Sequence, residues 1–269
     1  MPTDPNLPFS RFGTAPESPK DDRDHSISQY LPKTIKAEAL PAEVGLANVD
    51  AHRFIGITNQ MGEGSCTGHG FRNTKTTLEI RHRKTTRAKK AVPVHGPRGI
   101  YHLGKQVGGY PEEEGAYMRD VVKAMQTFGV PREKDWPYVA HTNDRGQPQD
   151  KGKPNARFLT NAKRWKIGAY SQARTLDQML TWLHTQGPLF MAMSLHENFF
   201  DSDPDGIIPE PKGKEIGGHA MAILAASQAT QRFYVPNSWD TTFGKDGYCW
   251  ISFKHFMGVS HEAWAVHDQ

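Results

Sequence analysis

Apolar residues in this chain fall into short periodic runs separated by polar, Gly- and Pro-rich stretches, and the runs predict an α+β protein. The clearest helical period is Glu114 to Phe128. Tyr117, Val121, Met125 and Phe128 recur on one face, acidic residues lead, Gly129 stops the pattern and Pro131 follows. Thr175-Leu176-Asp177-Gln178 reads as a capping box opening a second helix that ends at Gly187-Pro188. Strands are predicted at Ala162 to Tyr170 and Leu189 to Leu195, with strand, loop and strand following around His219 and Asn237. Cys249, between Tyr248 and Trp250 in an alternating run, takes a core position. Phe54, Ile55 and Ile57 suggest a short strand, and residues 91–113 a turn-rich connection around Ile100-Tyr101-His102-Leu103.

The same pattern divides the chain. Residues 1–43, rich in Pro, Asp, Ser and Lys, read as an extended leader, too short and too irregular for a helical plug and expected to wrap the body. Residues 44–150 form a mainly helical lobe and residues 151–269 a β-rich one, with the boundary in the polar stretch His141 to Asn155.

One segment is organised by chemistry rather than by apolar period: Asn59-Gln60-Met61-Gly62-Glu63-Gly64-Ser65-Cys66-Thr67-Gly68-His69-Gly70-Phe71. An amide six residues before a cysteine, joined to it by a Gly-rich turn, can fold back beside the sulfur. With the cysteine's own N–H it would hold the oxyanion of an acyl-transfer intermediate. A helix beginning at Cys66 would favour the reactive thiolate. Further along, His219 opens an apolar run, and Asn237 can fix its tautomer while Trp239 shields their hydrogen bond. A thiolate beside that imidazole would raise the histidine's pKa. His69, one turn beyond Cys66, is the rival base but lacks a partner equivalent to Asn237.

At these residues the chain resembles the papain-like (C1) cysteine peptidases. The likeness implies Cys66 as nucleophile, His219 as general base, Asn237 as orienting amide and Gln60 in the oxyanion hole. It implies substrate contacts at Gly64, Ser65, Glu114, Gly115, Gly218 and Trp239, with Gly115 offering backbone along the cleft. It also implies a two-lobed fold, a helical lobe and an antiparallel β-barrel-like lobe with the cleft between. The chain is most similar to the compact bacterial and phage members. That likeness rests on Asp21-Asp22-Arg23-Asp24 with Leu31-Pro32, on Gly115-Ala116-Tyr117-Met118-Arg119-Asp120, on Phe128-Gly129-Val130 and on Trp136-Pro137-Tyr138.

Composition narrows the setting. The 269 residues carry a net charge of +4, with two cysteines, Cys66 and Cys249. Glu63 stands where secreted relatives carry a disulfide-forming cysteine, so no disulfide is expected and a reducing cytoplasm fits. No signal peptide or membrane-spanning run is present, and the acidic loop Asp201 to Asp205 lacks calcium-binding spacing. The histidines form no zinc motif, so neither metal nor cofactor is expected. The basic run Arg81 to Lys90 reads as a solvated helix end and loop, a weak hint of nucleic acid. The expected activity is thiol-dependent peptide hydrolysis by a monomer acting on peptide or protein substrates. An exopeptidase, amidase or acyl transferase would use the same apparatus. A catalytically silent binding or virion protein is the alternative from another class, hinted at by the polar helix after Cys66, by Asp240 in place of a common Gly and by Phe243 in place of a Trp.

Overall fold

The computed structural model describes residues 15–22, 24–31, 33–86, 92–138, 141–142, 148–150 and 152–268. After the leader come β1 (Glu43–Val44), α1 (Leu46–His52), α2 (Cys66–Thr86), α3 (Pro97–Gly108) and α4 (Met118–Phe128). A small hairpin, β2 (His141–Thr142) and β3 (Pro148–Asp150), precedes α5 (Phe158–Ala162), β4 (Ile167–Gln172) and α6 (Leu176–Thr185). The chain closes with β5 (Leu189–His196), β6 (Glu215–Ile223), β7 (Ala225–Ser227), β8 (Arg232–Pro236), β9 (Tyr248–Ser252), α7 (Phe253–Val259) and β10 (Ser260–Asp268).

The strands form two four-stranded sheets, ordered β1-β7-β8-β9 and β4-β10-β5-β6, with every pairing antiparallel. The molecule is a two-lobed α+β protein, and the expected barrel-like closure is replaced, among the described residues, by two open sheets. Alternation along the strands explains why β5 is apolar from Leu189 to Met193. Leu189, Met191, Met193 and Leu195 enter a core shared with the β1-β7-β8-β9 sheet and α6, while Phe190 and Ala192 enter one shared with α2, α3 and α4. Trp264 and Val266 of β10 join the helical side, and Ala263 and Ala265 the other.

Several elements match their sequence signals. α6 carries the full Thr175/Gln178 capping box, Cys249 is buried in β9, and α4 stops at Gly129 with φ 87°. Others differ for identifiable reasons. Residues 97–108 are a helix rather than a turn-rich connection. Pro97 occupies its first turn, and its glycines serve close packing: a Cβ at Gly99 would stand 2.6 Å from the Phe158 ring and one at Gly104 2.7 Å from Val121. Phe54 to Ile57 is no strand but the turn closing α1, with Phe54 exposed beneath the Lys84 ammonium. Helical turns occupy residues 158–165, so β4 begins later than expected, at Ile167. Part of the basic run, residues 87–90, lies outside the described residues.

α2 is the helix whose composition argues against it, and packing accounts for it. Gly68 lets Pro97 approach, since a Cβ there would lie 2.4 Å from the Pro97 carbonyl oxygen. Gly70 lets β6 approach: a Cβ would stand 3.1 Å from the Met221 Cα. The polar side chains are buried in partnership. Arg72 donates to the Ile55 and Gly56 carbonyls at 2.8 and 3.1 Å. Lys75 pairs with Glu79 at 2.6 Å and with Asp268, and His95 approaches Glu79 at 3.2 Å. Burial lowers the pKa of Arg72 to about 10.

The described part of the leader wraps the body. Ser18 donates to Glu262, Asp24 pairs with Arg119 of α4, and the buried Ala15 donates its N–H to the Gly218 carbonyl at 3.3 Å. No helix among the described residues is long and apolar enough to cross a membrane, and none of their His, Cys, Asp and Glu side chains group to hold a metal ion.

Candidate active site

The turn before Cys66 is built for a sharp reversal. Met61 adopts φ 54° with its N–H donating to Asn59 Oδ1 at 2.8 Å, and the Ser65 carbonyl accepts the first helical bonds from Gly68 and His69. Cys66 therefore lies in the first turn of α2, where backbone N–H groups lack helical acceptors and the macrodipole favours negative charge. Gln60 folds back under this turn. Its Nε2 donates to the Glu63 carbonyl at 3.0 Å and its Oε1 accepts from Ser238 Oγ at 2.6 Å. An amide nitrogen has two hydrogens, so one can still serve a ligand.

His219 lies inside β6, opposite Met193 of β5. Its Nε2 donates to Asn237 Oδ1 at 2.8 Å. That oxygen can only accept, so the proton is fixed on Nε2 and the lone pair on Nδ1. Nδ1 itself is buried without a hydrogen-bond partner. The Trp239 indole stacks on the imidazole, with centroids 4.6 Å apart and planes at 26°. Phe243 lies edge-on to Trp239 at 4.9 Å. Burial lowers the His219 pKa to about 4, the Asn237 hydrogen bond opposing it. A Cys66 thiolate would act in the opposite direction and raise it, as the sequence reading expects. The ring is neutral at neutral pH.

The close approach at Gly70 brings the first turns of α2 alongside the His219 segment of β6. His69 is fully buried, its Nδ1 2.7 Å from Thr58 Oγ1 and its ring edge-on to Tyr138 at 4.6 Å. Burial first, then the Arg72 and Arg98 charges, hold its pKa far below the ordinary value.

Of the residues implied as substrate contacts, most already make contacts within the chain. The Gly64 N–H donates to Glu114 Oε2 at 2.9 Å, and the Gly115 N–H to the Tyr101 hydroxyl at 2.9 Å. Ser65 Oγ shares a hydrogen bond with the Tyr138 hydroxyl at 2.8 Å. Gly218 admits no side chain, because a Cβ would meet the Ala15 carbonyl oxygen at 2.1 Å. Asp240 adopts a left-handed backbone, φ 71°, with its carboxylate accepting from the Thr241 N–H at 2.6 Å.

The sequence profile of the papain family cysteine proteases matches residues 109–267, the part that holds His219 and Asn237. The chain belongs to the papain family. It is a cysteine-type peptidase of the compact kind. An uncharacterized peptidase C1-like protein of Acanthamoeba polyphaga mimivirus is 23% identical over 96% of this chain and 86% of its own length. Cathepsin B-like cysteine proteinase 5 of Caenorhabditis elegans is 32% identical over 35% of this chain and 28% of its own. In fold, the chain is similar to xylellain, a cysteine protease from Xylella fastidiosa, with a TM-score of 0.80, 23% identity and 96% of both chains covered. Procathepsin B S9 from Trypanosoma congolense gives a TM-score of 0.69 at 16% identity, over 97% of this chain and 87% of that one.

Against this papain-family background, sequence reasoning missed two features. Ser238 joins the Gln60 and His219 halves: its carbonyl accepts from the Gln60 N–H at 2.8 Å, its hydroxyl donates to the Gln60 side chain, and its N–H donates to Asn237 Oδ1 at 2.7 Å. Its position between Asn237 and Trp239 was the available signal. The second feature is the buried pair Glu63 and Arg98 beside Tyr138, signalled only by a carboxylate in a Gly-rich turn.

Proposed function

We propose that the chain hydrolyses peptide bonds through a covalent Cys66 intermediate, with residues 44–150 supplying the nucleophile and residues 151–269 the base. The observation that carries this reading is His219 held by Asn237 at 2.8 Å with Nδ1 left open, on the strand packed against the helix that begins at Cys66. The neutral ring takes the thiol proton on Nδ1, and the sulfur attacks the carbonyl carbon. Charge developing on the carbonyl oxygen is met by the Cys66 N–H and the second hydrogen of Gln60 Nε2. As the intermediate collapses, His219 returns its proton to the leaving amine. Water, deprotonated by the same nitrogen, then releases the acyl group and restores the thiol. Both cysteines are free thiols, which suits a reducing compartment.

Two variants test the assignment in a peptide-hydrolysis assay. Cys66→Ala should abolish turnover with the fold retained. Gln60→Ala should lower kcat by about 10² to 10³ with little change in KM. Full turnover by Cys66→Ala, or a Gln60→Ala effect confined to KM, would contradict these roles.

A further inference from the structure

We propose that Glu63, anchored by Arg98 and Tyr138, is a positioning residue that sets the Gln60 amide for the oxyanion; this rests on Cys66 acting as nucleophile and Gln60 as oxyanion donor. The Glu63 side chain is fully buried, as is that of Arg98 apart from 2% of its surface. Glu63 Oε1 pairs with Arg98 Nη1, and Oε2 accepts from the Tyr138 hydroxyl at 2.8 Å. The Arg98 guanidinium lies over the Tyr138 ring, 4.4 Å from its centroid, and its Nε and Nη2 have no hydrogen-bond partner. Burying two charges is costly, and an apolar pair often replaces them without loss of stability. Stability is therefore a poor account of why they occur in this turn.

The backbone of Glu63 supplies the better account. Its carbonyl accepts from Gln60 Nε2 at 3.0 Å and from the Ser65 N–H at 2.8 Å, and its N–H donates to the Gln60 carbonyl at 3.2 Å. The Gly64 N–H, in the same peptide plane as the Glu63 carbonyl, donates to Glu114 Oε2 at 2.9 Å. That plane is thus held at its N–H end by Glu114, while the Glu63 side chain fixes its Cα to α3. The Tyr138 hydroxyl adds a third tie: with its one proton on Glu63 Oε2, it accepts from Ser65 Oγ at 2.8 Å. The direction of the Gln60 amide, and so of its second hydrogen, follows from the direction of the Glu63 carbonyl. Glycines flank Glu63 on both sides, and without the anchored side chain nothing in their backbone preference would fix it.

The test compares two reactions of the same thiol. Alkylation by iodoacetamide displaces iodide without forming an oxyanion, whereas hydrolysis of a fluorogenic peptidyl-coumarin amide requires one. The double variant Glu63→Gln/Arg98→Gln removes both charges together and avoids a lone buried ion. Tyr138→Phe keeps the ring over Arg98 and serves where the double variant does not fold. The expected result is a fall in kcat of about tenfold or more at unchanged KM, with the Cys66 alkylation rate and its pH profile within about twofold of wild type. Adding Gln60→Ala should then cost much less than it does alone. Unchanged kcat, or kcat and alkylation falling in parallel with the folded fraction, would overturn the proposal. Should the wild-type protein neither turn over substrate nor alkylate at Cys66, the assignment of Cys66 and Gln60 fails first and this inference with it.

Discussion

His219 carries the sharpest residue-scale consequence. Its folded pKa of about 4 lies below the ordinary value of 6.5, because a fully buried ring loses the hydration of its charged form. Above about pH 4 the ring is neutral and Nδ1 can accept the thiol proton; below it Nδ1 is protonated and cannot. In a kcat/KM profile corrected for unfolding, activity should be lost as pH falls through about 4 rather than through 6.5. A limb at 6.5 would show a solvated imidazole instead, and an added alkaline limb would show an imidazolium held by a Cys66 thiolate. At this scale the sequence was legible where chemistry limits the residue type: a Cys with a Gln six positions before it, a His and a following Asn. It was silent on Ser238 and Arg98, because a serine and an arginine are common residue types whose neighbours only the folded chain reveals.

Among the elements, α2 departs furthest from its local preferences and bears most directly on the site. Replacing its glycines by Ala gains about 1 kcal/mol of helix propensity. Overpacking a tight contact costs about 1 to 3 kcal/mol. At Gly70 the added methyl would meet Phe190 Cε2 at 3.0 Å and the Met221 backbone at 3.1 Å, and backbone cannot swing aside as a side-chain end can. Gly70→Ala should therefore destabilise in urea unfolding, net by up to about 2 kcal/mol. It should also lower kcat, since α2 must move off the strand holding His219. Stabilisation with full activity would mean that the approach of α2 to β6 is slack. The same close contacts explain the misread elements. α3 hides its helical character behind three glycines needed by Phe158, Val121 and Tyr110, whereas α6 announces itself because its capping box is local. Local signals survive in a sequence; glycines chosen by a distant neighbour resemble turns.

For the whole molecule, the two cores follow from alternation along β5 and β10, which the apolar run Leu189 to Met193 foreshadowed. Two open sheets were not foreseen, since strand order depends on long-range pairings such as β1 with β7, joining Glu43 to Ser227. The buried charges on α2 were equally hidden, because Lys75 finds its partner Asp268 at the far end of the chain. On the proposed mechanism one thiol is reactive and the other inert. Cys249 is fully buried in β9, and burial pushes its pKa far above the ordinary range, so it should resist electrophiles. Cys66 begins a helix packed along the strand of His219. The most direct measurement is to label the native protein with a thiol-directed epoxide and map the modified residue by peptide mass spectrometry. A Cys66–His219 peptidase requires stoichiometric label on Cys66, none on Cys249, and loss of labelling in His219→Ala; label on Cys249, or labelling of Cys66 indifferent to His219, would contradict it.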